Sequence, residues 1–291
     1  MIFELYYKMN QMKNILTLLL VVVSLSVFAQ KSDKEFEVYN VRNQEDGSAV
    51  VYATNNYLCE ESVLITFNTL KNMKADVDLP FKGVIPAGAK EYKLFTLTIK
   101  DRTKESGLGY ITKYGHGNVF DGKHDDSYVY TIPYQEGEKY GIGQAYGGKF
   151  SHFIKGKTHA IDFTMDVGTP ICAARDGVVL DVKEDSDKRG KTYRSQEHGN
   201  YIVIYHEDGT MANYFHLKKN GSKVKVGDQV ETGQLIALSG NTGWSSGPHL
   251  HFQVYSFDAD MEVKTIPTKF RQEDDKAIIL KKSREGYSSV H

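Results

Sequence analysis

The chain has 291 residues, a length that suits two ordinary domains or one large one. Its 36 basic and 37 acidic residues give a net charge of −1, so it lacks the basic excess of most nucleic-acid-binding proteins. Frequent glycine, scarce proline and 19 tyrosines favour β-structure with many tight turns over a helical bundle. The composition therefore predicts an all-β protein that does not act on nucleic acid.

Residues 1–29 have the pattern of an export signal. Lys8 and Lys13 supply positive charge, an apolar stretch follows from Ile15 to Val27, and the small residue Ala29 marks a cleavage position. The apolar stretch is shorter than the roughly 20 residues that a membrane-spanning helix needs. We therefore expect a cleaved signal, no stable membrane span after cleavage, and a periplasmic or extracellular location. An uncleaved anchor is the alternative.

The two cysteines, Cys59 and Cys172, lie far apart in the sequence. A disulfide framework is therefore not expected. Each cysteine is predicted to be a buried, small apolar residue.

Residues 30–100 are predicted to form an N-terminal β-sandwich module. Strand-like alternation is clearest at 49–53, 63–67 and 93–99, and turn signals such as Asp46-Gly47 stand between these segments. The region shows no catalytic constellation. We therefore expect a packing or positioning module, with recognition of a partner as the alternative.

Residues 101–127 are polar and rich in glycine, and they are predicted to be a linker or a long loop. His116 and His124 lie in this segment without another ligand at metal-binding spacing. Both histidines are therefore expected to be exposed.

A second β domain is predicted at 128–260, followed at 261–291 by one strand near 264–270 and a polar tail. Its clearest element is a hairpin around Asp208-Gly209, a strong turn signal. If these two residues form the turn, Tyr201 lies opposite His216 across the ladder. Tyr201 would then orient His216 or contact a substrate, and a packing role is the alternative.

His249 and His251 are separated by one residue in the segment Gly247-Pro248-His249-Leu250-His251-Phe252. Side chains alternate along a strand, so both imidazoles project from one face while Leu250 and Phe252 point into a core. A metal ligand beside a general base is one natural use of such a pair.

Asp162 lies in a strand-like stretch and offers a hard oxygen ligand that suits zinc alongside imidazole. A catalytic zinc has three protein ligands and an open position for water. A set of two histidines and Asp162 meets that requirement.

Several motifs of this region occur in the order found in lysostaphin-type (LytM-like) zinc endopeptidases, which the chain resembles over about residues 140–257. They are His159-Ala160-Ile161-Asp162-Phe163, Gly168-Thr169-Pro170-Ile171, Arg175-Asp176-Gly177-Val178-Val179, Tyr214-Phe215-His216-Leu217, Val226-Gly227-Asp228-Gln229-Val230, Gly233-Gln234, Ser239-Gly240-Asn241-Thr242-Gly243 and the segment with His249 and His251. The resemblance implies a compact antiparallel β domain of the duplicated hybrid motif type. It also implies one zinc ion per chain and cleavage of peptides in peptidoglycan.

The resemblance further implies Asp162 and His251 as zinc ligands, and His216 and His249 as the catalytic histidines. His249 would accept a proton from water, and His216 would donate to the developing oxyanion. Trp244, in a glycine-rich loop beside this site, is expected to form a rim that holds the substrate.

The first zinc ligand departs from the usual pattern, which places it four residues before the aspartate, here Thr158. His159 stands three residues before Asp162, an offset that puts the two side chains on opposite faces of a strand. His152 stands further upstream, in Phe150-Ser151-His152, which is similar to a subgroup with a longer loop after the ligand. We favour His152, which makes His159 a surface or supporting residue.

A regulatory relative without zinc, which binds a wall amidase or another partner, is the alternative function. Degenerate members of the family lose zinc ligands, and the departure at Thr158 is the opening for that interpretation. Measured zinc stoichiometry distinguishes the two.

Overall fold

The computed structural model describes residues 35–121, 124–274 and 276–291, so the predicted export signal lies outside the described residues. Within these ranges the chain forms 23 strands and one short 3-10 helix, and the all-β prediction is confirmed. Residues Glu35–His291 form one compact unit. Within the described part of the chain, no helix is long and apolar enough to cross a membrane.

The N-terminal module consists of two sheets that share an apolar core. Its strands are β1 (Phe36–Arg42), β2 (Ala49–Asn55), β3 (Glu61–Lys71), β4 (Met73–Ala75), β5 (Phe81–Ile85), β6 (Tyr92–Ile99) and β7 (Gly107–His116). One sheet has the order β1-β2-β6-β4 and the other β5-β3-β7. Val51, Ile65 and Phe95 are buried in one apolar cluster to which both sheets contribute side chains, because alternate side chains of each strand point inward.

The predicted linker at 101–127 is wrong, because β7 occupies its middle and pairs with β3. The glycines that suggested a loop are places where another group approaches the strand. A Cβ at Gly109 would lie 2.6 Å from Oδ1 of Asn68, and one at Gly115 would lie 2.7 Å from Cγ of Phe257. Glycine in a strand permits such close approach, so β7 packs against the second domain.

The sequence predicts exposed side chains for His116 and His124, but both side chains are partly buried. The His116 side chain is 21 % exposed and that of His124 is 24 % exposed. Cys59 and Cys172 are free and buried, as predicted.

The C-terminal domain is built on a nine-stranded sheet of order β16-β12-β14-β15-β19-β10-β9-β23, with β20 also paired to β19. A short 3-10 helix spans Tyr193–His198. The strands of the domain are β8 (Val129–Tyr130), β9 (Lys139–Gln144), β10 (Ile161–Thr164), β11 (Pro170–Cys172), β12 (Gly177–Lys183), β13 (Arg189–Gly190), β14 (Tyr201–Tyr205), β15 (Met211–Phe215), β16 (Gln229–Val230), β17 (Leu235–Leu238), β18 (Gly243–Trp244), β19 (His249–Phe257), β20 (Val263–Ile266), β21 (Lys269–Arg271), β22 (Ala277–Ile278) and β23 (Ser283–Ser288).

The last residues belong to this domain, and the prediction of a polar tail at 261–291 is wrong. The strand expected near 264–270 is two strands, β20 and β21, with Pro267 between them, which has no N–H for a ladder. β23 pairs with β9 at the edge of the large sheet. Gly286 makes this pairing possible, because its φ is +77° and a Cβ there would lie 1.9 Å from the Tyr140 carbonyl oxygen.

The predicted register of the β14–β15 hairpin is wrong by one residue. Tyr201 pairs with Phe215, and the His206 N–H donates to the Thr210 carbonyl over 2.9 Å. Three residues therefore connect the strands, and Gly209, at φ +79°, takes the left-handed position that a three-residue hairpin requires.

β19 lies near the middle of the sheet, and its predicted alternation is confirmed. Leu250, Phe252 and Val254 are buried in the core on one face. His249 and His251 face a cleft on the other face. The sheet thus separates the packing core from the polar site.

A buried histidine makes the stability of this domain sensitive to acid. His206 donates from Nδ1 to the Asp176 carbonyl over 2.7 Å, and burial lowers its pKa from 6.5 to about 4. The unfolded chain binds this proton at higher pH than the folded chain. Stability should therefore fall as pH decreases from about 6.5 to about 4, by at most about 3 kcal/mol from this residue.

His206→Asn retains a donor for the Asp176 carbonyl but has no group that titrates in this range. We expect its free energy of unfolding, measured with urea at pH 7 and at about pH 4.5, to fall less than that of the parent chain. Equal losses in the two proteins would contradict the role given to His206.

Candidate metal centre

His152, Asp162 and His251 converge at one point of the cleft. Their ligand atoms lie within 4.8 Å of one another, and all three side chains are buried. Asp162 on β10 is the cross-strand partner of His251 on β19, so directly paired positions of a ladder bring these two together. His152 arrives from the turn-rich segment between β9 and β10.

Hydrogen bonds fix the protonation pattern of His152. Its Nδ1 lies 3.0 Å from the Ala145 carbonyl oxygen, which only accepts, so Nδ1 carries the hydrogen. In a neutral ring Nε2 then presents a lone pair, and it lies 3.1 Å from Oδ1 of Asp162.

The same reasoning applies to His251. The Gln253 amide nitrogen donates to the Gly156 carbonyl, so its Oε1 accepts from Nε2 of His251, 3.3 Å away. The remaining Nδ1 lone pair lies 3.0 Å from Oδ1 of Asp162. Two lone pairs thus face one carboxylate oxygen, an arrangement that a bound cation would satisfy. Two imidazole nitrogens and a carboxylate oxygen form a ligand set that fits zinc.

The charge state of Asp162 agrees with this arrangement. Burial by itself would raise the pKa of this carboxyl, but the adjoining imidazole rings of His152 and His251 outweigh burial and hold the pKa well below its usual range. Asp162 therefore supplies a carboxylate at neutral pH.

Gln144, at the end of β9, positions both the carboxylate and the segment that carries His152. Its amide nitrogen donates to Oδ2 of Asp162 over 2.7 Å, and its Oε1 accepts from the Phe150 N–H over 3.0 Å. Sequence reasoning missed Gln144, since a glutamine at the end of a short strand carries no local signal of this role.

His159 does not reach the candidate metal position. Its Nδ1 lies 2.9 Å from the Thr265 carbonyl oxygen, which places the ring toward β20. His159 is outside the group of potential ligands that includes His152.

His216 and His249 stand side by side next to this group, with ring centroids 4.4 Å apart. His249 donates from Nδ1 to the Gly247 carbonyl over 2.8 Å, and its Nε2 lies 3.8 Å from Oδ1 of Asp162. His216 donates from Nδ1 to the Thr242 carbonyl over 2.6 Å. The Nε2 of each neutral ring is therefore free to accept a proton.

The backbone and the surroundings of His216 are both unusual. Its φ of +68° lies in the left-handed region, which is strained for a residue with a side chain and is common at functional sites. Burial, followed by the neighbouring His249 and His251, lowers its pKa well below the usual value. His216 is therefore neutral at rest.

Aromatic side chains form one wall of the cleft. The Trp244 ring centroid lies 5.6 Å from that of Phe150 and 5.6 Å from that of Tyr193, and Lys157 Nζ lies 5.4 Å from the Trp244 centroid. Phe150 is 52 % and Tyr193 62 % exposed, so this wall presents flat apolar surface to the solvent. The sequence suggested Trp244 but not its partners.

Tyr201 lies outside this cleft. Its hydroxyl donates to Asp181 over 2.7 Å, and its ring stacks on Phe215 with centroids 5.8 Å apart. The contact between Tyr201 and His216 that the predicted register required is not made, because the shift of one residue pairs Tyr201 with Phe215.

A buried set of two histidines and one carboxylate, with two more histidines at its edge, is the arrangement of a mononuclear metal hydrolase. Comparison of sequences agrees with this class. Residues 156–263 match the sequence model of peptidase family M23.

Three relatives are similar over this region. An "uncharacterized metalloprotease" of Buchnera aphidicola subsp. Baizongia pistaciae is 42% identical over 38% of this chain and 26% of its own length. The peptidoglycan DD-endopeptidase ShyA of Vibrio cholerae is 34% identical over 50% of this chain and 32% of its own length. The glycyl-glycine endopeptidase ALE-1 of Staphylococcus capitis is 38% identical over 39% of this chain and 29% of its own length. The chain thus spans about a third or less of the length of these relatives.

Proposed function

We propose that the chain is an exported zinc metalloendopeptidase that hydrolyses peptide bonds in bacterial peptidoglycan. The observation that carries the proposal is the convergence of His152, Asp162 and His251 with two ring lone pairs aimed at one carboxylate oxygen. The peptidoglycan endopeptidases among the relatives supply the substrate class. Export to the periplasm or the cell exterior follows from that substrate and from the signal predicted at 1–29.

One zinc ion would be held by His152 Nε2, His251 Nδ1 and a carboxylate oxygen of Asp162. When bound, zinc supplies Lewis acidity toward the scissile carbonyl and toward water. The hydrogen bonds from His152 to Ala145 and from His251 to Gln253 keep the rings in the ligating tautomer.

His249 acts as the general base in this proposal. In the neutral ring, Nδ1 carries the hydrogen that it donates to the Gly247 carbonyl, and Nε2, which faces the ligand group, has a lone pair. It can take a proton from the attacking water and return it to the leaving amine.

His216 stabilises the negative charge that develops on the substrate oxygen. Because its Nδ1 hydrogen is committed to Thr242, Nε2 can donate only after it has taken up a proton from solvent. Negative charge on the substrate raises the pKa of a neighbouring imidazole. His216 therefore becomes a donor as the oxyanion forms.

The cleft fits an extended peptide better than a compact ligand. It has a volume of about 660 Å³ and runs from the aromatic wall past His249 to Tyr255 and Phe257. Two of the relatives are named a peptidoglycan DD-endopeptidase and a glycyl-glycine endopeptidase, and a peptide substrate of either kind can be presented along such a groove.

The direct test is incubation of the purified chain with two defined muropeptides, one with a D,D-crosslink and one with a glycine bridge. We expect mass spectrometry to show cleavage of one of them, loss of cleavage with a chelator, and recovery on addition of zinc. The matched control is His249→Ala. Equal product from this variant, or no cleavage of either substrate by the metal-loaded chain, would refute the proposed activity.

Trp244→Ala should weaken substrate binding with little effect on the chemical step. An aromatic contact contributes about 0.5–1.5 kcal/mol, so we expect KM to rise about two- to tenfold at nearly constant kcat. Trp244→Phe keeps an aromatic ring, so its KM should lie between those of the parent chain and of Trp244→Ala. A large fall in kcat with unchanged KM would contradict a role in holding the substrate.

The alternative of a regulatory relative without zinc relied on the loss of the first ligand at Thr158. The position of His152 beside Asp162 and His251 removes the reason for it.

A further inference from the structure

A second group of potential metal ligands, separate from the group in the cleft, lies at the seam between the N-terminal module and the C-terminal domain. Among the described residues, Cys59, Glu61 and His116 bring their ligand atoms within 4.8 Å of one another. Cys59 precedes β3, Glu61 begins β3, and His116 ends β7. The group therefore joins the matching ends of two paired strands.

The Glu61 carboxylate shows that this group is incomplete as it stands. The residue is 0 % exposed, and its Oε2 has no hydrogen-bond partner among the described residues. A buried carboxylate oxygen without a hydrogen-bond partner is energetically unfavourable. The other oxygen, Oε1, contacts both His116 Nδ1 and the Cys59 thiol, whose sulfur lies 3.5 Å away.

The surrounding backbone holds the three ligands in place. The Gly117 N–H donates to the Glu60 carbonyl over 2.8 Å, and the Ser62 hydroxyl donates to the Gly117 carbonyl over 2.7 Å. These bonds tie the start of β3 to the end of β7. The paired strand ends therefore bring Glu61 and His116 together, and no loop has to become ordered for them to meet.

We propose that Cys59, Glu61 and His116 form a second metal site that binds a zinc ion and fastens the N-terminal module to the sheet of the C-terminal domain. A thiolate, an imidazole and a carboxylate are ligands that zinc takes readily. Zinc bonds of about 2.0–2.3 Å put tetrahedral ligand atoms roughly 3.3–3.8 Å apart, so small side-chain movements bring this group to ligation distance. The thiol proton leaves to solvent on binding.

The position of the site explains its structural effect. Cys59 packs in one apolar cluster with Leu180, Val203 and Met211 of the C-terminal domain. The His116 ring lies 5.9 Å from that of Phe257 on β19. An ion held by Cys59 and His116 would therefore stabilise both of these contacts between the N-terminal module and the large sheet. His116 also lines two cavities at this seam, which give a hydrated ion a route inward.

Cobalt substitution tests the proposal, because the site in the cleft has no sulfur ligand. We expect the metal-depleted full chain to bind two Co²⁺ ions and to show the near-ultraviolet charge-transfer absorption of a cobalt–thiolate bond. His251→Ala should bind one ion and keep this absorption. Cys59→Ala should bind one ion and lose it, whereas the matched control Cys172→Ala should keep it.

Two outcomes would overturn the second site: a parent chain that binds cobalt without the thiolate absorption, or absorption that survives in Cys59→Ala. If Cys59→Ala does not fold, Glu61→Gln is the variant to test, because glutamine has nearly the shape of glutamate. This substitution should weaken metal binding at the second site more than about tenfold. Unchanged affinity in Glu61→Gln would also reject the site. Peptidase activity is not the readout, so failure here is distinguishable from failure of the proposed function.

Discussion

His251→Ala is expected to abolish metal binding in the cleft and peptide cleavage, whereas His249→Ala should abolish cleavage and keep the metal in the cleft. His251 is one of the three converging ligands, and its loss leaves only His152 and Asp162. His249 lies beside the group, with Nε2 3.8 Å from Asp162 Oδ1. Removal of a general base typically costs about 10²–10⁴-fold in rate.

The measurement combines zinc content with turnover of a muropeptide. His152→Ala should behave as His251→Ala does, and His159→Ala is the matched control, because its ring bonds to Thr265 instead. Equal zinc in His249→Ala and His251→Ala would refute the separation of roles. Loss of zinc in His159→Ala would refute the choice of His152.

Phe252→Ala should cause a large loss of stability in the core of the C-terminal domain. The side chain is fully buried and packs against Tyr214 and Phe270, at centroid distances of 5.2 and 6.0 Å. Truncation of a buried phenylalanine to alanine costs about 3–5 kcal/mol, from lost transfer energy and the cavity that remains. Urea unfolding of the metal-free proteins measures this cost.

Phe153→Ala is the matched control, because this phenylalanine is 65 % exposed. Its free energy of unfolding should change by no more than about 0.5 kcal/mol. A cost below about 1 kcal/mol for Phe252→Ala would mean that the core refills the space more easily than its packing implies.

Local patterns were sufficient for the parts of the site that lie on one strand. The alternation that places His249 and His251 opposite Leu250 depends only on the period of a strand, and it is found in β19. The meeting of Asp162 with His251 was expected from the motifs, and the ladder between β10 and β19 brings the two residues together.

Features that depend on distant contacts or on turn geometry were not predictable in this way. The hairpin register changed by one because the turn contains Glu207 in addition to the predicted Asp208 and Gly209. β7 was taken for a loop because its glycines reflect contacts made across the fold, such as that of Gly115 with Phe257. Glu61 and His116 are 55 positions apart, and no spacing rule links them.

The three ligands in the cleft differ in how firmly the fold holds them. Asp162 and His251 sit on neighbouring strands inside the large sheet, whereas His152 is carried by the turns between β9 and β10. In the proposed site, opening of those turns would remove one donor from a bound ion and leave the other two where they were. A bound ion would therefore exchange with its surroundings through a local excursion of His152, at a rate set by the Gln144 contacts and independent of global unfolding.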